Sequence, residues 1–448
     1  MPQALTLHYE IAEHTLDNGL RVVLNPASGS PSVAVNLWYH VGSADEVAGR
    51  SGFAHLFEHL MFQGSGRVAS GEHLQALQAV GGHVNATTSF DRTNYFETVP
   101  PGALELALWL EADRLGSLDV SQDNLNNQRE VVKEEKRQRY DNQPYGDQLD
   151  LLLALNFPEH HPYGHTTIGS MTDLDAAELA DVQDFFTTWY RASNAVLTLA
   201  GPISAEQGIE LAERHFGHLP QLPAPDRRRA EALPAHSGVP RLEVRRDVPR
   251  SALHLGFRTP PLGDPDHLAV EQALAVLGGG PASRLHKLMV RDTETSEGAG
   301  ASQFDLAQGN GLALLSARAR DGHQLDELEG QLVEALQELA QHGPTEAELD
   351  RANAAFERDW LGELAQVDER ADQLSAFATL QHHPGLLNQH LARVRAVTAE
   401  DVARVTRQWL DPEQRSSLHY LADENVPDEN VPDKNRATAN QATEQEQR

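Results

Sequence analysis

Val33, Val35, Leu37 and Tyr39 stand at every second position of their segment. That two-residue period predicts a strand with one buried face. Upstream, Asp17-Asn18-Gly19 separates two short apolar runs, as a hairpin turn would. From Phe53 onward the apolar spacing lengthens and predicts helices over about 53–63 and 71–80. Strands over 83–90 and 93–99 follow, then helical patterns from 102 to about 155. A loop rich in His, Pro and Gly, residues 158–169, interrupts them. Two more helices, a strand over 195–200 and a helix over 205–216 complete this half.

Residues 218–240 hold five prolines and the run Arg227-Arg228-Arg229 with little periodicity, which predicts a linker. The pattern then restarts. Strands are expected at 241–245 and 252–257, helices near 265–278 and 283–291, and strands at about 299–306 and 311–318. Amphipathic helices fill 323–410, and 417–421 is a last strand. Both halves therefore read strands, helices, strands, helices, strand. The fold class this implies is α+β, with two similar lobes, each a mostly antiparallel sheet packed with helices. The lobes are expected over 1–217 and 241–422, joined by the linker 218–240. Residues 423–448 repeat a five-residue unit without a core-forming cluster and are expected to be a disordered acidic tail.

Charge narrows the function classes. The chain of 448 residues has 36 basic and 66 acidic side chains, a formal net charge of −30. Such a field repels nucleic acid and anionic lipid. It favours basic partners or substrates. The tail holds seven acids and three bases, so most of the acidity belongs to the folded body. No stretch of about 18 apolar residues exists, so no membrane span is expected. The first residues lack a basic segment followed by an apolar core, so no signal peptide is expected and a cytoplasmic location is the default. There is no cysteine, which leaves His, Asp, Glu and water as the available metal ligands.

His55-Leu56-Phe57-Glu58-His59 is the informative segment. On a helix, His55 and His59 lie one turn apart on one face and can chelate a tetrahedral Zn²⁺. Glu58, beside them, can reach a water at the ion without occupying the ion and take its proton as general base. The plain alternative is a helix with two partly exposed histidines. A third ligand is needed, and the acidic segment 128–137 offers Glu130, Glu134 and Glu135. Glu134 and Glu135 differ by about 100° around a helix, so only one can face the histidines. The plain alternative for all three is a solvated charged face.

H-x-x-E-H resembles the inverted zinc motif of the pitrilysin/insulinase-type metallopeptidases, the inverzincins. In that family a glutamate in a downstream E-R-x-V-V-x-x-E-like helix completes the site. Glu135, 76 residues after His59, stands in that register. Gly81-Gly82-His83-Val84-Asn85-Ala86-Thr87-Thr88-Ser89-Phe90-Asp91-Arg92-Thr93-Asn94-Tyr95 resembles the family's G-G-x-x-N-A-x-T-x-x-D-x-T-x-Y segment. There it is an edge strand that binds an extended peptide, with Asn85 and Ala86 near the scissile bond. Phe257-Arg258-Thr259-Pro260, Asp264-Pro265-Asp266 and 277–285 resemble the non-catalytic lobe, so the resemblance spans about residues 10–421.

The resemblance implies a fold like that of the half-size, mitochondrial-processing-peptidase branch. It also implies one Zn²⁺ per chain, held by His55, His59 and Glu135, and an endopeptidase activity with Glu58 as base. The peptide is bound as an added strand inside a two-subunit chamber. The implied partner is a second half-size subunit, identical or a related one lacking the zinc motif. The rival reading is a non-catalytic structural or peptide-binding subunit. Two positions depart from the family pattern. Arg291 stands at the substrate-gripping Arg, but Gly298 replaces the Tyr seven residues on, and Gln128 replaces a glutamate seven residues before Glu135. His160, His161 and His165 are expected to be structural, and His382 and His383 to sit at an exposed helix end.

Overall fold

A computed structural model describes residues 7–227 and 229–423. In the first half β1 (Ala12–Thr15), β2 (Arg21–Pro26) and β3 (Val33–Tyr39) precede α1 (Phe53–Leu60) and α2 (Glu72–Ala79). The hairpin of β4 (His83–Thr88) and β5 (Thr93–Val99) leads to α3 (Leu104–Ser117), α4 (Gln122–Lys136), α5 (Gln148–Asn156), α6 (Met171–Asp175) and α7 (Leu179–Trp189). β6 (Ala195–Gly201) and α8 (Ala205–Phe216) close it. The second half has β7 (Arg241–Arg246), β8 (Ala252–Thr259), α9 (His267–Gly278), β9 (Ser296–Phe304) and β10 (Gly311–Ala319). Then come α10 (Leu325–His342), α11 (Glu346–Ala365), α12 (Val367–Leu380), α13 (Leu386–Arg395), α14 (Ala399–Trp409) and β11 (Ser416–Ala422).

The two sheets share one topology. The first runs β1-β2-β6-β3-β5-β4 and the second β7-β11-β8-β10-β9. In each, the closing strand lies parallel to an early strand, β6 to β2 and β11 to β7, while every other pairing is antiparallel. The first sheet adds only β1 at its edge. Both sheets end on a hairpin whose outer strand, β4 or β9, has one ladder edge unpaired among the described residues. The α+β class with two like lobes is therefore present in the strand order itself.

Two expectations change. β3 is buried on both faces, not one. Val33, Val35, Leu37 and Tyr39 join the core beneath α1 and α3, while Ala34 and Trp38 on the other face pack against α12. The helices α11–α13, more than 300 positions later in the chain, thus cover the outer face of the first sheet, and the lobes interlock. The segment expected as a helix at 283–291 winds instead into a wide π turn over His286–Asp292.

The linker has no helix or strand among its described residues, yet it is anchored. Arg227 forms a salt bridge with buried Asp45 at 2.8 Å. The tail expected over 423–448 lies outside the described residues except for Asp423.

Candidate metal centre

α1 buries Phe53, Ala54, Leu56, Phe57 and Leu60, which leaves His55, Glu58 and His59 on the opposite side. Its start is fixed from two directions. The Glu46 carboxylate accepts from the backbone N–H groups of Gly52 (2.9 Å) and Ala54 (2.7 Å), two donors that have no partner within the helix. Gly52 has φ +90°, and a Cβ there would stand 2.7 Å from the Ile168 carbonyl oxygen. The loop 158–169 is thereby pressed against the first turn of the helix that carries the histidines.

α4 starts at Ser121, whose hydroxyl accepts from the Asn124 N–H at 3.1 Å. Its inward stripe is Leu125, Gln128 and Val132. Glu135 is the next position on that stripe, whereas Glu134 points outward to Arg137 and Gln138. Glu135 Oε2 lies 3.7 Å from His55 Nε2 and 3.4 Å from His59 Nε2. Its other oxygen takes an ion pair from exposed Arg139 at 2.7 Å. One ligand atom from each of His55, His59 and Glu135 lies within 4.8 Å of the others.

These residues suit a zinc ion. Burial, with His59 and Arg139 nearby, lowers the His55 imidazole to about 3, which keeps it neutral and able to donate a lone pair. His55 Nδ1 is buried without a hydrogen-bond partner, and neither imidazole approaches Glu135 closely enough for a good hydrogen bond. The three atoms converge on a common space without satisfying one another. Two imidazoles and one carboxylate form a ligand set of catalytic zinc sites.

Glu58 is beside this group but outside it. Its Oε2 accepts from Thr88 Oγ1, at the end of β4, at 2.5 Å. Burial raises its carboxyl above the ordinary range, against the opposing pull of Thr88, His59 and Arg92. Asn85 and Ala86 lie on the edge strand β4, opposite Phe96 and Tyr95 of β5. Asn85 is exposed, with its side-chain oxygen turned back onto the Ala86 N–H, and Ala86 is buried.

Thr88 and Arg139 had no role in the sequence reading. Arg139 is four residues after Glu135, a spacing that flags a pair on a continuous helix. The contact of Thr88 with Glu58 joins two elements and leaves no local signal.

The remaining candidates separate cleanly. His161 stacks on Phe157 at 4.9 Å, and among the described residues neither it nor His160 or His165 belongs to a metal-capable group. His382 and His383 are exposed just beyond α12. Arg291 is exposed and pairs with Asp292, and Gly298 lies on β9 opposite Arg318. Two other groups have metal-like composition. In the first, His73, Glu97 and Glu111, the two glutamates already hold Arg114; in the second, Asp326, Glu329 and His419, Glu329 already holds Arg415 and Asp326 holds Arg241.

Two like-folded lobes, with an H-x-x-E-H helix and a distant glutamate converging in the first, are the arrangement expected of a two-lobed peptidase of the zinc type. Residues 21–169 match the insulinase family (peptidase family M16), and residues 176–356 match the peptidase M16 inactive domain; the chain belongs to the M16 family. It is 29% identical to the zinc protease PqqE of Helicobacter pylori over 415 residues, 90% of this chain and 91% of that protein. It is 30% identical to an uncharacterized zinc protease of Mycobacterium tuberculosis over 400 residues, 88% and 90% of the two chains. The crystal structure of a protease from Helicobacter pylori superposes with a TM-score of 0.86 at 28% identity, covering 92% of this chain and 99% of that one.

Proposed function

We propose that this chain is a zinc-dependent endopeptidase acting on unfolded peptides. The observation that carries the reading is the convergence of His55, His59 and Glu135 with Glu58 adjacent but outside the ligand set. His55 Nε2, His59 Nε2 and a Glu135 oxygen would hold the ion. A zinc ion held there supplies Lewis acidity, polarising a peptide carbonyl and lowering the pKa of water. Glu58 accepts the proton of the attacking water and passes it to the departing amine. Thr88 holds one Glu58 oxygen and so orients the other. The free edge of β4 offers main-chain donors and acceptors to an extended peptide near Asn85 and Ala86. That mode of binding reads backbone before side chain, which suits unfolded substrates.

A two-subunit chamber follows from the resemblance to half-size members. Gly298 on β9 leaves the second lobe without the family's Tyr, so a related partner lacking the zinc motif is the favoured second subunit. The test is cleavage of a fluorogenic peptide library by wild type and Glu58→Gln, with zinc content measured on both. Glu58→Gln is expected to keep its zinc and lose about a hundredfold or more in kcat. Equal rates would refute the mechanism. Loss of zinc with the rate would make Glu58 a ligand. Adding a half-size partner should raise the wild-type rate alone.

A further inference from the structure

Between the lobes lies a cavity of about 300 Å³, at the small end of the range for small-molecule sites. It is bounded by Trp38 on β3, Phe377 on α12, α9, α13 and the turn between β4 and β5. Most of the charged side chains in its wall already have partners. Asp91 accepts from the Tyr163 hydroxyl and the Ala307 N–H, each at 2.9 Å. Arg92 donates to the Thr87 carbonyl at 2.9 Å, and Asp264 accepts from the Asp266 N–H at 2.8 Å. His267 and Asp305 pair with each other at 3.2 Å.

Two groups of opposite sign remain. Glu271 on α9 and Arg393 on α13 line the cavity, and among the described residues neither has a hydrogen-bond or salt-bridge partner, each other included. His390, also in the wall, has its Nδ1 buried without a partner. Burial, reinforced by Asp305 and only partly offset by His267, raises the Glu271 carboxyl to about 7. Glu271 is half-buried with no hydrogen-bonded counter-charge; such a carboxylate is costly to keep ionised, and an ammonium group beside it lowers that cost. Arg393 offers a planar fork that matches a carboxylate. A simple cation would leave Arg393 unmatched, and a simple anion would leave Glu271 unmatched. Trp38 and Phe377 provide an apolar wall for a side chain.

We propose that this inter-lobe cavity binds a small zwitterion, an α-amino acid or a dipeptide, with its ammonium at Glu271 and its carboxylate at Arg393. The proposal does not depend on peptidase activity, because neither Glu58 nor any of the three proposed metal ligands lines the cavity.

The test is isothermal titration calorimetry on the full chain carrying Glu58→Gln, so that no ligand is turned over. Leucine and alanyl-leucine are titrated, each also as its N-acetylated and C-amidated form. Saturable binding of an unmodified ligand is expected, weakened at least about tenfold by either blocking group. Tighter leucine assigns the site to a free amino acid, and tighter alanyl-leucine assigns it to a dipeptide. Added Glu271→Gln and Arg393→Gln should each weaken the unmodified ligand by a similar factor. Absence of saturable heat at millimolar ligand overturns the proposal. So does binding indifferent to blocking, or binding unchanged in both variants, which would locate the ligand elsewhere. The blocked ligands decide the matter even if a variant fails to fold.

Discussion

Glu58 is the residue on which the proposed chemistry turns, and it is held by a single hydroxyl. Thr88 donates to one carboxylate oxygen from the end of the strand that offers its edge to a peptide. A hydrogen bond to a charged group contributes about 1.5–3 kcal/mol. If even the lower part of that range is realised in orienting the base, Thr88→Val should lower kcat about tenfold while zinc content matches that of wild type. Thr88→Ser, which keeps the hydroxyl, should restore most of the rate. Steady-state kinetics beside elemental analysis reads both, and loss of zinc in Thr88→Val would show that the residue supports the ligands instead. The histidines and Glu58 were legible in the sequence because one helix carries all three at fixed spacing. Glu135 was legible through the family register, and the stripe Leu125, Gln128, Val132, Glu135 supplies an independent signal. Thr88 was not legible, since only the meeting of α1 with the β4–β5 hairpin brings it to Glu58.

At the scale of elements, the closing strand of each lobe decides the sheet, and in the second lobe that strand is tied to a helix by charge. Glu329 on α10 accepts from His419 Nε2 on β11 at 2.8 Å and from Arg415 Nε at 2.8 Å. Burial alone would raise its carboxyl, but those two hydrogen bonds outweigh burial and hold it at about 2. An unfolded glutamate titrates at about 4.3. The folded state is therefore favoured by the ionised carboxylate at any pH above that value, and this contribution disappears as pH falls towards 2. The melting temperature of Glu329→Gln should lie below that of wild type at pH 6, with the gap closing between about pH 4 and pH 2. Thermal melts across that range check it, and a gap independent of pH would mean that the ion pair contributes nothing. Element order and most boundaries were readable from periodicity. The second face of β3 was not, because Ala34, Asn36 and Trp38 read as a mixed face until a remote helix covers them.

For the whole molecule, that covering helix matters more than the linker. The duplicated strand order made two similar lobes joined by a linker the expectation, yet α12 belongs by sequence to the second half and by packing to the first sheet. Its Asp372 accepts from Asn36 Nδ2 (3.0 Å), Trp38 Nε1 (2.9 Å) and Asn94 Nδ2 (2.9 Å), three donors on β3 and β5. Around it Leu374, Phe377 and Leu387 close over Val23, Trp38 and Val196. The periodicity of residues 367–380 shows that this helix has an apolar face but not which sheet it serves. A fragment of residues 7–240 keeps the metal residues and the entire first sheet, and loses this cover. Each large side chain returned to water costs about 1.5–3 kcal/mol. Several such losses equal the whole stability of a typical domain, about 5–15 kcal/mol. The fragment should therefore melt without a cooperative transition and bind hydrophobic dye, although every proposed zinc ligand is present. In the full chain, Asp372→Ala should lower the melting temperature of the first lobe and its zinc retention together. A fragment that melted cooperatively and held zinc as the full chain does would make the linker a true boundary and α12 a mere lid.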